Sequence, residues 1–182
     1  MKPDDQRVLI VYASRFGQST KIAETIRDVL RERGIESDLE PLTRDSAPDP
    51  ARHGAFAMVT SVRYGHFDKN SARIVAENRA WMESVPTLLV TVSLTARTPE
   101  KRDPAVHLYT KKFLAAADWA PTQIEVMPGL LDYPRYNLLD RTAIRLIMSM
   151  TGGVTDPKAV VEYTDWDEVR AAANRFADKL SG

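Results

Sequence analysis

The run Val8-Leu9-Ile10-Val11 is apolar at every position, and the strand pattern it begins is halted at Ser14. A strand with one wet face alternates apolar and polar residues, whereas a strand covered on both faces does not. The run therefore predicts an inner strand of a parallel sheet with helices on both sides. A parallel neighbour can be reached only by crossing over, so a turn and a helix should come next. Ser14-Arg15-Phe16-Gly17-Gln18-Ser19 supplies the turn. Ile22, Ile26, Val29 and Leu30 then recur at the i, i+4, i+7, i+8 spacing of a helix with one buried face.

The start of such a helix leaves backbone N–H groups without partners, which makes it an anion site. Ser14, Ser19 and Thr20 add hydroxyls and Gln18 adds an amide. These donors suit the phosphate of a mononucleotide cofactor, FMN. The simpler alternative is a βα turn whose serine only caps the helix.

The same alternation continues along the chain. Gly34 closes the first helix, and Ile35 to Glu40 alternates as an edge strand does before Pro41 ends it. Buried strands are predicted at 55–60, 87–92 and 123–127. A helix is predicted over 68–84, and another with Val106, Tyr109, Phe113 and Ala117 on one face. The last helix starts near Asp165, capped by Thr164 or Asp165, and buries Val169, Ala172, Ala173, Phe176, Ala177 and Leu180. Strands alternating with helices predict a three-layer α/β fold with a parallel sheet and right-handed crossovers. For five strands the expected arrangement is a flavodoxin-like sandwich of order 2-1-3-4-5, with 1–182 as one domain. Ligands then sit at the carboxyl ends of the strands, at the switch point between the first and third. Three polar loops should meet there: Ser14 to Thr20; Ser61-Val62-Arg63-Tyr64-Gly65-His66; and Ser93-Leu94-Thr95-Ala96-Arg97-Thr98.

Residues 130–155 interrupt the alternation and read as an insertion in the last βα unit. Their helix, about 138–150, carries Leu138, Leu139, Ala143, Ile144, Leu146, Ile147, Met148 and Met150, too many apolar residues for one stripe. Either it packs on more than one side, or it offers a surface to a partner or a membrane interface. Ala159 to Tyr163 reads as a short strand resuming the fifth.

Composition removes several classes. Basic and acidic residues balance at 25 each, a net charge of +0, which provides no general attraction to nucleic acid. The absence of cysteine excludes thiol catalysis, iron–sulfur ligation and disulfides. Three scattered histidines form no metal-ligand pattern. No apolar run reaches the roughly 18 residues of a membrane span, and the polar stretch from Met1 to Arg7 does not read as a signal peptide. The expectation is a cytoplasmic protein, with peripheral contact at the inner face of the cytoplasmic membrane and homo-oligomerisation left open.

From Val8 to Phe176 the chain resembles the flavodoxin-like protoporphyrinogen oxidases, the menaquinone-dependent protoporphyrinogen dehydrogenases of bacterial haem synthesis. The first loop alone is shared with any flavodoxin. Ala96-Arg97-Thr98-Pro99-Glu100-Lys101-Arg102, Tyr133-Pro134-Arg135-Tyr136, Asp140-Arg141, Leu146-Ile147-Met148, Gly152-Gly153 and Tyr163-Thr164-Asp165-Trp166, in this order, carry the specific likeness. Two stretches depart from pattern. Phe16-Gly17-Gln18 stands where electron-carrier flavodoxins usually have Thr-Gly-Asn, and Asn137-Leu138-Leu139 replaces a more aromatic and basic stretch. The resemblance implies FMN-dependent oxidation of protoporphyrinogen IX to protoporphyrin IX, with electrons passing to menaquinone or ubiquinone. It implies that Ser14 to Ser19 (Ser14, Arg15, Phe16, Gly17, Gln18 and Ser19) hold the phosphate. The Ser61–His66 and Ser93–Arg97 loops then line the isoalloxazine, with Tyr64 covering a ring face. The substrate carries two propionates, for which Arg97, Lys101, Arg102 and Arg135 are the candidate cations, with Arg63 a further one. No catalytic acid or base is assigned; His66 reads as structural or as a proton relay. A flavodoxin-type electron carrier, an FMN-dependent quinone reductase and a cofactor-free interaction module are the competing readings. Electron carriers are usually strongly acidic, and this chain is not.

Overall fold

The computed structural model describes residues 7–181; the polar start read above as no signal peptide lies outside the described residues, except for Arg7. Strand β1 (Arg7–Ala13) is followed by α1 (Gln18–Glu32), β2 (Ser37–Pro41), β3 (His53–Ser61), α2 (Lys69–Met82) and β4 (Thr87–Val92). Then come α3 (Leu108–Ala117), β5 (Gln123–Met127), β6 (Leu130–Asp132), α4 (Leu138–Met150), β7 (Val160–Glu162) and α5 (Trp166–Leu180). Strands β1 to β5 form one parallel sheet in the order β2-β1-β3-β4-β5, the order expected from the sequence.

The period-2 geometry of a strand sends alternate residues to opposite faces. In β1, Val8 and Ile10 enter one core and Leu9 and Val11 the other. In β3, Ala55, Ala57 and Val59 separate from Phe56 and Met58 in the same way. The first core is completed by Ile22, Ile26 and Leu30 of α1 and by Val169, Ala172, Ala173 and Phe176 of α5. The second is completed by Ile74, Val75 and Met82 of α2, Phe113 and Ala117 of α3, and Trp119. Asp165 caps α5, its carboxylate accepting from the Glu168 N–H at 3.1 Å.

Two expectations change, and an alternative left open for α4 is resolved. The strand near 159–163 does not resume the fifth: β7 pairs antiparallel with β6 in a separate two-stranded sheet, Leu131 opposite Val161. Pro128-Gly129 ends β5, and the three residues of β6 give β7 a nearer edge. Val106 lies before α3 and is exposed, because His107 is the residue that caps the helix. The inserted helix α4 buries only Asp140 and Met148, leaving Leu138, Leu139, Leu146 and Met150 bare. No described helix is long and apolar enough to cross a membrane.

Phe176 is fully buried where α5 meets α1 and the sheet. Phe176→Ala removes a large apolar side chain from a closed core and should cost about 3–5 kcal/mol. Urea denaturation of the variant against the parent measures this.

Candidate active site

The carboxyl ends of β1, β3 and β4 deliver three loops to one cavity of about 460 Å³, and α4, with Tyr109, Gly129, Leu130 and Tyr136, forms its remaining wall. The first loop turns at Gly17, whose φ of +94° lies in the left-handed region that favours glycine. Its N–H donates to Ser14 Oγ at 3.1 Å, and no side chain caps α1. The uncapped N–H groups at this helix start leave it able to receive an anion. Gln18 is buried, and its Nε2 donates to Glu162 Oε1 at 2.8 Å and Thr164 Oγ1 at 2.7 Å. Its Oε1 is buried without a protein partner, so at this site the Gln18 amide offers an acceptor rather than the donor expected from the sequence.

The second loop is a tight turn in which Arg63 and His66 exchange backbone hydrogen bonds of 2.8 Å. Tyr64 and Gly65 both have positive φ, 48° and 78°. A Cβ on Gly65 would stand 3.0 Å from the Tyr109 ring, so glycine is needed for space as well as backbone. The third loop is a 3₁₀ turn, Leu94–Arg97, capped by Ser93. Behind it lies His107, 2% exposed, with Nε2 3.1 Å from Thr95 Oγ1 and Nδ1 2.7 Å from Thr110 Oγ1. Thr110 in turn donates to Thr91 Oγ1 at 3.0 Å. This polar chain ties the third loop to α3 and β4.

On α4, Asp140, Ile144 and Met148 recur every fourth residue and face the cavity together with Ile147. The Asp140 carboxylate, 5% exposed, accepts from the Tyr64 hydroxyl and from Arg63 Nη2 at 2.6 and 2.7 Å, with Arg15 Nη2 at 3.6 Å. The Tyr64 hydrogen bond and the Arg63 guanidinium hold this carboxyl below the usual carboxylate range. The Arg63 guanidinium also lies 5.0 Å from the centre of the Tyr64 ring.

Of the residues expected around a cofactor, Ser14, Arg15, Phe16, Gln18, Ser19, Ser61, Val62, Arg63, Tyr64, Gly65, Ser93, Leu94, Thr95 and Arg97 line this cavity. Gly17 shapes the turn beneath it, and Ala96 is fully buried. His66 lines a neighbouring cavity of about 760 Å³, which shares Ser14, Arg15, Ser61, Arg63 and Tyr64 with the first. The candidate cations for the propionates are dispersed. Arg97 lines the cavity, yet its guanidinium donates to the Thr151 carbonyl at 2.7 Å and its hydroxyl at 2.8 Å. Arg102 Nε donates to the Ala96 carbonyl at 3.0 Å and Arg135 Nη1 to the Phe16 carbonyl at 2.8 Å, while Lys101 is exposed. Neither Arg102, Arg135 nor Lys101 lines either cavity. The sequence reading missed Asp140, Tyr136, Ile144, Met148, Tyr109 and His107. One signal for Asp140 was available: it is the sole acid within Leu138–Met150, in phase with Ile144 and Met148.

Burial pushes the His107 imidazole below its ordinary value, and nearby Lys101 adds to the effect. The unfolded chain therefore binds this proton at a higher pH than the folded one. Stability should be intact above pH ~6.5 and fall as the pH drops below it, until the folded imidazole is itself protonated. Thermal melts from pH 8 to 5 check this, and His107→Gln should flatten that part of the profile.

A family model described as Flavodoxin domain matches residues 9–158. The protoporphyrinogen IX dehydrogenase (quinone) of Escherichia coli is 37% identical over 171 residues, 94% of this chain and 94% of that protein. The protein of the same name from Leishmania major is 33% identical over 178 residues, 97% of this chain and 77% of that protein. Among solved structures, a cysteine-to-serine variant of flavodoxin from Pseudomonas aeruginosa superposes with a TM-score of 0.55 at 14% identity, covering 97% of this chain and all of the other. An archaeal flavodoxin gives 0.54 at 10% identity, over 97% of this chain and 100% of its own. At such identities these two speak for the fold alone. The chain belongs to the flavodoxin-domain family, and within it to the group of the quinone-dependent protoporphyrinogen IX dehydrogenases.

Proposed function

We propose that this protein is an FMN-dependent oxidoreductase that converts protoporphyrinogen IX to protoporphyrin IX and passes the electrons to a respiratory quinone. The relatives' names give the substrate and the acceptor class. The observation that carries the reading in this chain is a mononucleotide-sized cavity fed by an uncapped helix start and closed by α4. The loop Ser14 to Ser19 and the first turn of α1 hold the phosphate. The Gln18 side chain lines the cavity beside that loop, and its Oε1, which has no protein partner, would be the acceptor that this position offers the cofactor. The Ser61–Gly65 and Ser93–Arg97 loops flank the ring system, with Ile144, Ile147 and Met148 excluding water on the α4 side.

FMN held there would supply the two-electron oxidation chemistry, with a quinone as the final acceptor. Six hydrogens leave each protoporphyrinogen, so three such rounds and three quinones are needed. The protein's part is to bind, orient and desolvate. The Tyr64 hydroxyl is held by Asp140 and its ring lies beside the Arg63 guanidinium, an arrangement that fixes the ring at the cavity wall, where it would cover a face of the flavin.

The bare face of α4, with Leu138, Leu139, Leu146 and Met150 beside Arg145, is assigned to contact with the quinone and the inner surface of the cytoplasmic membrane. The whole chain acts as one domain, with 130–155 inserted for this purpose. Flotation with anionic vesicles should carry the protein up, and Leu139→Gln with Leu146→Gln should abolish it. Gel filtration showing a dimer lost in the same double variant would instead assign the face to self-association.

Under anaerobic conditions, protein with FMN, protoporphyrinogen IX and a menaquinone analogue should produce porphyrin fluorescence above a control without enzyme. Omitting FMN or quinone should remove the signal. An FMN-loaded protein with no signal above control would overturn the reading in favour of an electron carrier. Gly17→Ala puts an alanine into the left-handed region at a cost of ~1–2 kcal/mol; the free loop sheds that strain by leaving the turn, FMN has to restore it, and FMN should therefore bind up to roughly tenfold more weakly. Titration of flavin fluorescence measures that loss.

A further inference from the structure

Arg15 and Arg63 converge on the Asp140 carboxylate, with the Tyr64 hydroxyl as a further donor. Two guanidiniums facing one carboxylate leave a local excess of positive charge. Among the described residues no second acid lies within 4.0 Å of either guanidinium. The two donors, Arg63 and Tyr64, come from the β3 loop and the ion-pair partner Arg15 from the β1 loop, whereas the carboxylate comes from α4. Asp140 sits in the first turn of α4, where Leu138 and Leu139 are 76% and 81% exposed and contribute no packing. It ties this end of α4 to the β1 and β3 loops, beside the Phe16–Tyr136 ring contact just before the helix. Arg15, Arg63 and Tyr64 also line both cavities and form the wall between them, so an anion arriving through the outer cavity meets them directly. Tyr64 reaches Asp140 from a left-handed backbone conformation, φ 48°, which costs a non-glycine residue of order 1–3 kcal/mol.

We propose that Arg15, Arg63 and Tyr64 form a recognition site for a carboxylate of the tetrapyrrole, and that Asp140 is an internal competitor occupying it while α4 is closed. The inference rests on the function proposed above. A cavity of about 460 Å³ is filled by a mononucleotide, so a tetrapyrrole has to approach the flavin from outside it, and a carboxylate entering through the outer cavity gains the two guanidiniums only where Asp140 on α4 gives them up. An incoming carboxylate can take over the charge-assisted hydrogen bonds that Asp140 makes, so the exchange leaves neither half-exposed guanidinium without an anion. The closed state lowers apparent affinity by the fraction of molecules in which Asp140 holds the site. Substrates without a carboxylate gain nothing from the exchange and leave α4 shut.

The test uses FMN-loaded protein and two oxidised, air-stable probes, protoporphyrin IX and its dimethyl ester, followed by absorbance and fluorescence titration. The wild type should prefer the free acid. Asp140→Asn should tighten the acid by roughly threefold or more and leave the ester unchanged, while Arg63→Gln should erase the preference. In the wild type, amide hydrogen exchange over 138–150 should rise with the acid and not with the ester, a readout that needs no variant to fold. Unchanged acid affinity in a folded, FMN-loaded Asp140→Asn protein, or unaltered exchange with the acid, would overturn the inference. So would tighter FMN binding in Asp140→Asn without an effect on the porphyrin, which would give the two arginines to the phosphate. Equal affinity for acid and ester in an active wild type sinks the carboxylate site alone. Failure of both porphyrins to bind, in a protein without the oxidase activity, sinks the proposed function and this inference with it.

Discussion

Strand β1 has no solvent face. Val8 and Ile10 lie under α1 and α5 while Leu9 and Val11 lie over α2 and α3, all at 2% exposure or less. A strand covered on both sides must hand the chain to a crossover helix at its carboxyl end. That obligation brings the Gly17 turn and the uncapped start of α1 to the middle of one sheet edge. The neighbouring strands β3 and β4 end beside it in register, Tyr12 opposite Val59 and Val59 opposite Val90. The site is thus a by-product of sheet burial: three loops meet because three buried strands end together, and the open N–H groups meet there because the helix begins there.

The segment from β6 to α4 is held to this edge by an apolar cluster that Phe16 and Leu94 touch, and by polar ties at both ends of α4. At one end of α4, Asp140 binds Arg63 and Tyr64; at the other, Arg97 donates to the Thr151 carbonyl where the helix terminates. A cation at a helix carboxyl terminus also complements the helix dipole. The apolar residues between these ties divide in two. Ile144 and Met148 face the cavity, and Leu139, Leu146 and Met150 face outward. The helix is amphipathic with respect to the cavity rather than the core, which explains why its composition exceeds one stripe while almost nothing on it is buried.

Periodicity carried most of the fold. The inner strands of the main sheet followed from apolar runs, the edge strand β2 from alternation and the helices from their spacing; the order and the meeting of three loops followed from the flavodoxin-like arrangement expected of five such strands. What escaped was set by partners distant in sequence. Leu130–Asp132 is too short to signal a strand, so the pairing that captured β7 was invisible. Arg97, Arg102 and Arg135 read as free cations for a substrate, but backbone carbonyls of Thr151, Ala96 and Phe16 engage them, and no local pattern encodes a carbonyl brought in by folding. Gln18 misled for the same reason: Glu162 and Thr164, 144 and 146 residues away, turn its amide donor inward.

The insertion also has a core of its own. Leu131, Tyr133, Tyr136 and Met148 form a third cluster separate from the two that flank the sheet, touched by Phe16 and Leu94 from the first and third loops. Because β6 and β7 pair side by side, the chain leaves and re-enters the parent fold at adjacent points. Four buried side chains make a much smaller cooperative unit than either main core. On heating, residues 130–162 should therefore come apart before the sheet does, leaving a compact five-stranded remnant. Evolution could lengthen, trim or restyle that unit without renegotiating the architecture beneath it.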